Sequence, residues 1–386
     1  MKIVLAPDSF KESLTAAAVC EAIAEGLRSV LPDAVIDKCP VADGGEGTVD
    51  ALVAATGGAF ESTEVAGPLG EPVVARWGML GDASATAVLE MAAASGLAMV
   101  PPAKRDPLKT TTFGTGQLIR AAMDRGAKRL VVGIGGSATT DGGMGCAQAF
   151  GIRFLDADGR ALADRAGGAD LARIERIDVS GLDPRIGEVE ILVACDVDNP
   201  LCGPRGAAAV YGPQKGATPE AVRQLDANLA HLAGVVQRDL GIDIRSFPGA
   251  GAAGGLGAGL VGFLNGVIRP GIEIVIEAVR LAERLVGADL LITGEGRLDR
   301  QSVMGKVIAG VGGAARRAEV PAIALVGSVG EGAGETLAVL DAYVSIVNRP
   351  MPLDEALSDA AALLRDTAAQ VGRLLQIGID SARSIG

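Results

Sequence analysis

Six short segments of this chain carry carboxylates, hydroxyls, lysines or runs of glycine, most of them where a strand gives way to a turn. The first is Asp8-Ser9-Phe10-Lys11-Glu12-Ser13, directly after an apolar run. In open parallel sheets ligands bind beyond the carboxyl ends of strands, so Asp8, Ser9 and Lys11 could hold a metal or an anionic substrate there. The plainer alternative is a helix-capping turn, with Ser13 or Thr15 as the cap. The second is Asp43-Gly44-Gly45-Glu46-Gly47-Thr48. Gly44 and Gly45 would expose backbone N–H groups to an anion, and Asp43 could ligate a metal. An ordinary strand-to-helix turn is the competing reading.

The third segment runs from Gly133 to Gly143 and carries Gly135, Gly136, Ser137 and Asp141. Glycines and hydroxyls with one carboxylate are what a phosphate cradle beside a Mg²⁺ ligand requires. The chain has no GxxxxGK[ST] loop and no protein-kinase HRD and DFG pair. In the fourth, Asp196 follows a buried strand and suits a base or a metal ligand, while Lys215 in Gly212-Pro213-Gln214-Lys215-Gly216 could contact phosphate or a carboxylate. Asp198 and Asn199 read as a turn before Pro200, and the flanking cysteines as packing. The fifth, Gly249 to Gly259, contains a GxGxxG, but no strand precedes it; it could cradle phosphate or simply admit a close helix. The sixth is Thr293-Gly294-Glu295-Gly296-Arg297-Leu298-Asp299, with Lys306 after it. Glu295 and Asp299 with two cations suit metal-assisted phosphoryl transfer; a charged turn with a surface ion pair is the alternative.

His231, the only histidine, lies among surface-type positions of a helix and reads as solvated. Ser-His-Asp hydrolysis and histidine-based metal catalysis are therefore poor readings, and acid–base work falls to carboxylates and lysines.

These loops need a scaffold. Residues 2–6, 34–39, 129–134, 190–194, 288–292, 321–326 and 342–347 read as strands. Val19, Ile23, Leu27 and Val30 mark a helix, as do residues 142–150, 303–317 and 332–339. Thr218-Pro219-Glu220 is a helix start, and Leu353 to Leu375 reads as one amphipathic helix. Residues 60–105 suggest antiparallel strands. Strand–helix alternation implies parallel strands with right-handed crossovers. Two strands at the start and three at the end make one flavodoxin-sized sheet. The expectation is an α/β protein: a discontinuous flavodoxin-like domain, 1–65 plus 285–386, with a second α/β domain of mixed sheet, 66–284, inserted, and an active site in the cleft between them.

A net charge of -12 argues against a nucleic-acid binder. No stretch approaches a membrane span, the five scattered cysteines suggest neither zinc nor a disulfide framework, and a cytoplasmic protein is expected. Nothing in the sequence decides for or against a homo-oligomer.

Together the stretches APDSFKES, PVADGGEGT, GIGGSATTDGGMG, ACDVDNPLCGPRGAA, GPQKGA, GAAGGLGAGL, PGIEIV and ITGEGRLD resemble the bacterial type-1 glycerate kinase family. The resemblance implies ATP-dependent phosphorylation of D-glycerate, giving 2-phosphoglycerate, with Mg²⁺. It also implies a flavodoxin-like domain carrying an inserted α/β domain. Thr140 stands where the family often has Asn. On chemical grounds Lys11 or Lys215 would hold the glycerate carboxylate. Gly135, Gly136 and Ser137 would cradle phosphates, with Gly44, Gly45 and Lys306 in support. Asp43, Asp141, Glu295 and Asp299 are candidate Mg²⁺ ligands, and Asp196 would orient the attacking hydroxyl, with Asp8 next in order. A nicotinamide-dependent hydroxy-acid dehydrogenase and a non-catalytic ligand-binding protein are the rival readings.

Overall fold

The structure is a computed structural model and describes residues 1–303 and 306–385. Its strands are β1 (Lys2–Leu5), β2 (Val35–Lys38), β3 (Ala59–Ala66), β4 (Pro72–Met79), β5 (Thr86–Glu90), β6 (Arg129–Gly133) and β7 (Arg153–Leu155). They continue as β8 (Arg176–Asp178), β9 (Glu190–Ala194), β10 (Val267–Arg269), β11 (Leu290–Leu298), β12 (Ala322–Val329) and β13 (Ala342–Ser345). The chain divides into two compact units. One comprises Met1–Asp43, Asp50–Gly57 and Ile272–Gly386, the other Gly44–Val49 and Gly58–Gly271.

The first unit is built on a wholly parallel sheet in the order β13-β12-β11-β1-β2. Counted along this unit the spatial order is 2-1-3-4-5, the flavodoxin arrangement. Ile3, Leu5 and Ile292 are 0 % exposed, as strands covered on both faces require. The helix Ala16–Arg28 is capped by the Thr15 hydroxyl, which accepts from the Ala18 amide at 3.2 Å. Val19, Ile23 and Leu27 recur every fourth residue and pack with Leu364, Ala368 and Val371 of the helix Ala360–Ile385.

Three elements depart from expectation. The single C-terminal helix is two, Leu353–Ser358 and Ala360–Ile385. At the break the Ser358 hydroxyl donates to the Glu355 carbonyl, a local bond that competes with helix continuation. Residues 333–338 form a 3₁₀ turn, with Gly332 left-handed before it and Gly334 inside it. The helix expected over 303–317 is described as Val307–Arg317; residues 304 and 305 of that expectation lie outside the described residues.

The second unit holds a mixed sheet in the order β10-β9-β6-β5-β4-β3. β5, β6, β9 and β10 run parallel, so their carboxyl ends share one edge, while β3, β4 and β5 are the antiparallel strands expected within 60–105. Leu89, Leu118, Val132, Phe150, Leu229 and Leu232 belong to its core. The helix Pro219–Leu240 begins as expected, with the Thr218 hydroxyl accepting from Ala221 N at 3.2 Å. His231 is half-buried rather than solvated, because its Nε2 lies 2.7 Å from the Ile174 carbonyl oxygen. That oxygen only accepts, so this nitrogen carries the proton.

The five cysteines are free thiols, Cys20, Cys39 and Cys146 buried and Cys195 and Cys202 half-buried. Among the described residues no helix is long and apolar enough to cross a membrane.

Candidate active site

In the first unit the strand order reverses between β1 and β11, and open α/β sheets bind ligands beyond the strand ends at such a switch point. Asp8 leaves the end of β1 with its amide donating to the Gly294 carbonyl of β11 at 2.9 Å. The expected turn at 293–299 is instead strand. β11 runs to Leu298 because β12 runs alongside it to Val329. The glycines serve close packing here. A β-carbon on Gly294 would lie 2.3 Å from the Leu325 carbonyl, and one on Gly296 would lie 3.6 Å from the Lys11 amide nitrogen. With side chains alternating along a strand, Glu295 and Arg297 share the face opposite to these glycines.

Glu295 is one of two strongly perturbed carboxylates in this cluster. Burial pushes it up to about 7; the Ser302 hydroxyl, which donates to it, pulls down, and the Asp8 charge adds to the rise. Burial likewise pushes Asp8 up to about 6, against the Ser9 amide, which donates to it at 2.6 Å, and with the Asp43 charge. The field of Lys11 reaches Asp8 and that of Lys306 reaches Glu295. Lys11 is exposed, and Lys306 donates to Gln301 Oε1 at 3.3 Å. Asp299 accepts from the Gln301 amide at 2.9 Å and from Arg297 Nε at 3.1 Å. Asp8 thus feels the charges of Asp43 and Lys11, and Glu295 those of Asp8, Asp299 and Lys306. Among the described residues no three acidic, histidine or cysteine side chains converge into a metal cage.

In the second unit the loops gather at the carboxyl ends of the parallel strands. Gly44 has φ +91°, and a β-carbon on it would lie 2.7 Å from Ala194 Cβ at the end of β9 and 3.0 Å from Gly271 Cα. Only glycine fits both the left-handed backbone and the close approach. A β-carbon on Gly135 would lie 3.7 Å from Gly45 Cα, so the second and third sequence motifs meet. Glu90, at the end of β5, accepts from the Val49 amide at 3.0 Å and anchors the far side of that turn. Asp196 lies just beyond β9, exposed, with Oδ1 accepting from the Gly271 amide at 2.8 Å.

The 133–143 loop is held from several sides. The Leu97 amide donates to the Gly136 carbonyl at 2.8 Å, the Ala138 amide to the Ser95 carbonyl at 2.9 Å, and the Thr110 hydroxyl to the Ala138 carbonyl at 2.9 Å. Among the described residues the amides of Gly135, Gly136 and Ser137 make no hydrogen bond. Three successive amides without partners, with Gly136 at φ +70°, are the backbone arrangement that anions can occupy. Asp141 is 0 % exposed. Its carboxylate accepts from Thr112 N and Thr112 Oγ1, both at 2.8 Å, and from Gly143 N and Gly145 N, both at 3.2 Å. Burial pushes this acid up, and those donors pull it down.

Lys215 is 1 % exposed, and burial pushes its ammonium down to about 7 against the pull of Asp141. The Gly249–Gly259 segment is close packing. A β-carbon on Gly254 would lie 1.9 Å from the Thr139 carbonyl, and the Gly254 carbonyl accepts from Gly142 N at 3.1 Å. It backs the phosphate-type loop from behind and follows no strand, which removes the dinucleotide reading. Sequence reasoning missed Thr112, Glu90 and Ser302; the Thr110-Thr111-Thr112 run was the visible hint of the first.

The chain matches the glycerate kinase family over residues 3–376. It is 52% identical to a glycerate kinase of Bacillus subtilis over 378 residues, 98% of each chain. It is 48% identical to the glycerate 2-kinase of Escherichia coli over 383 residues, 99% of this chain and 100% of that one. A crystal structure of a Salmonella typhimurium protein described as glycerate kinase 2 superposes with a TM-score of 0.90 at 50% identity, covering 98% of this chain and 99% of that one. With family, fold and loop chemistry in agreement, this chain belongs to the glycerate kinase family.

Proposed function

We propose that this protein transfers the terminal phosphoryl group of ATP to the 2-hydroxyl of D-glycerate, giving 2-phospho-D-glycerate and ADP. The observation that carries the phosphotransfer reading is the row of unpartnered amides at Gly135, Gly136 and Ser137 at the end of β6. Such a row receives phosphate oxygens. The choice of the 2-hydroxyl is supported by the name of the E. coli relative.

Phosphoryl transfer needs alignment and charge neutralisation more than covalent chemistry. Gly135, Gly136 and Ser137 take phosphate oxygens, with Gly44 and Gly45 shaping the floor. Lys306 adds a cation. Lys11, exposed beside Asp8, takes the glycerate carboxylate. Asp8, pushed to about 6, is suited to accept the hydroxyl proton near neutrality, and Asp196 orients the acceptor. Asp141, with its four bonds, serves to hold the loop.

The donor set fits Mg²⁺. Glu295 is a half-buried carboxylate raised toward neutrality that feels the charges of Asp8 and Asp299, and Asp8 in turn feels that of Asp43. Mg²⁺ is commonly held by one or two carboxylates together with substrate phosphates and water, so no preformed cage is needed. Glu295 and Asp43 would hold it, with Asp299 in support; when bound it neutralises phosphate charge.

The test is a coupled assay for ADP with MgATP, with and without D-glycerate, followed by NMR of the product. Glycerate-dependent ADP release with phosphorus coupled to the C2 proton is the expected result. Coupling to the C3 protons would move the product to 3-phosphoglycerate. Absence of glycerate-dependent turnover would sink the substrate assignment.

A further inference from the structure

We propose that Lys215 is a positioning residue, whose ammonium holds the Gly135–Thr139 segment in its anion-binding conformation. This rests on the phosphate reading of that loop. Lys215 Nζ donates to Ser137 Oγ at 2.7 Å and to the Thr139 carbonyl at 2.6 Å. It reaches them from the short 3₁₀ turn Pro213–Lys215, which Gly216 closes at φ +93°. The segment is thereby gripped from both sides. Leu97 N and Thr110 Oγ1 hold the carbonyls of Gly136 and Ala138, and Lys215 holds that of Thr139. With those carbonyls fixed, the backbone dihedrals between them are fixed too, and the amides of Gly135, Gly136 and Ser137 are left without internal partners.

The alternative, that Lys215 grips the substrate carboxylate directly, requires a reachable ammonium. The side chain is 1 % exposed and two of its three donors are committed inside the unit. Burying an ammonium without a carboxylate in hydrogen-bond contact is costly, and a methionine would fill much of the same volume. What an ammonium does here that a thioether cannot is bind a hydroxyl and a carbonyl at once. It also places positive charge behind a row of amides that would face phosphate.

The test uses the full chain and the variant Lys215→Met. We expect the KM for MgATP to rise about tenfold or more, the scale of losing hydrogen bonds to a charged donor, with the KM for D-glycerate unchanged. Hydrogen exchange should speed up at the Leu97 and Ala138 amides, which bridge the loop to its neighbour, while the helix Pro219–Leu240 is unaffected. Unchanged exchange at those two amides overturns the proposal. So does a rise confined to the KM for D-glycerate, which would make Lys215 a substrate contact. A fall in kcat alone would also overturn it, because the ammonium would then touch the transferring group. Should Lys215→Met fail to fold, Lys215→Ala with added methylammonium replaces it. Amine-dependent recovery of the MgATP KM is expected, and no recovery overturns the role. Failure of the phosphate reading shows separately, as a wild-type protein that binds neither MgATP nor inorganic tripolyphosphate.

Discussion

The Ser302 hydroxyl donates to the Glu295 carboxylate and accepts from the Asp299 amide at 3.2 Å. Ser302 is 2 % exposed, so this one hydroxyl ties the Glu295 carboxylate to the backbone of Asp299 from inside the fold. Its bond stabilises the ionised form of Glu295. Ser302→Ala should therefore push Glu295 above about 7 and move the acid limb of the kcat/KM profile to higher pH. The loss of activity should be large below that limb and small well above it. An acid limb that stays in place would show that Glu295 ionisation does not govern the profile.

The same perturbation predicts a stability effect. Glu295 has its folded value near 7 against an ordinary 4.5, so between those values the folded state holds a proton that the unfolded state has released. Its contribution is fully present below the ordinary value and lost as pH rises through the folded one. Glu295→Gln, which carries no charge at any pH, should gain stability relative to wild type as pH rises across this window. The gain is of order 1–3 kcal/mol after allowing for partial exposure. Urea midpoints of both proteins across pH check it; a constant difference would refute the assignment.

Much of this architecture is legible in the residues. β9 spans Glu190–Ala194 in sequence and structure alike because an unbroken aliphatic run is bounded by polar residues. The start of the helix Pro219–Leu240 is readable because Thr, Pro and Glu each meet a need of a helix N-terminus. β11 is misread because Thr-Gly-Glu-Gly-Arg carries turn residues, and only its pairing with β12 and the approach of the Phe10 loop keep it extended. The glycine-acid loops announce themselves, but the groups that hold them do not. Thr112 is a distant partner of Asp141, and Lys215 reads as a contact to phosphate or a carboxylate until its burial is known.

Asp8 and Asp196 are separable by experiment. Asp8 is half-buried and raised to about 6, whereas Asp196 is exposed and tied to the Gly271 amide. Asp8→Asn should lower kcat by about 10²–10⁴-fold, the range for losing a general base, and abolish the acid limb that Asp8 contributes. Asp196→Asn should cost less in kcat and mainly raise the KM for D-glycerate, with nucleotide binding unchanged. Near-normal turnover in Asp8→Asn would remove it as the base, and a reversed pattern between the two variants would exchange their roles.

Gly254 and Gly47 offer a matched pair for testing how the phosphate-type loop is supported. Both have left-handed backbones, φ +69° and +90°. A β-carbon on Gly47 meets nothing within 4 Å, so Gly47→Ala should cost only the conformational strain, about 1–2 kcal/mol. A β-carbon on Gly254 falls 1.9 Å from the Thr139 carbonyl, the same oxygen that accepts from Lys215. Relieving that clash means moving backbone, and the backbone that moves is the loop. Gly254→Ala should therefore be destabilised by about 3 kcal/mol or more in urea titrations and lose MgATP binding while still folded. Equal stability of the two alanine variants would show that the 249–259 segment can withdraw from the loop without consequence, and that its glycines are not needed to support the phosphate site.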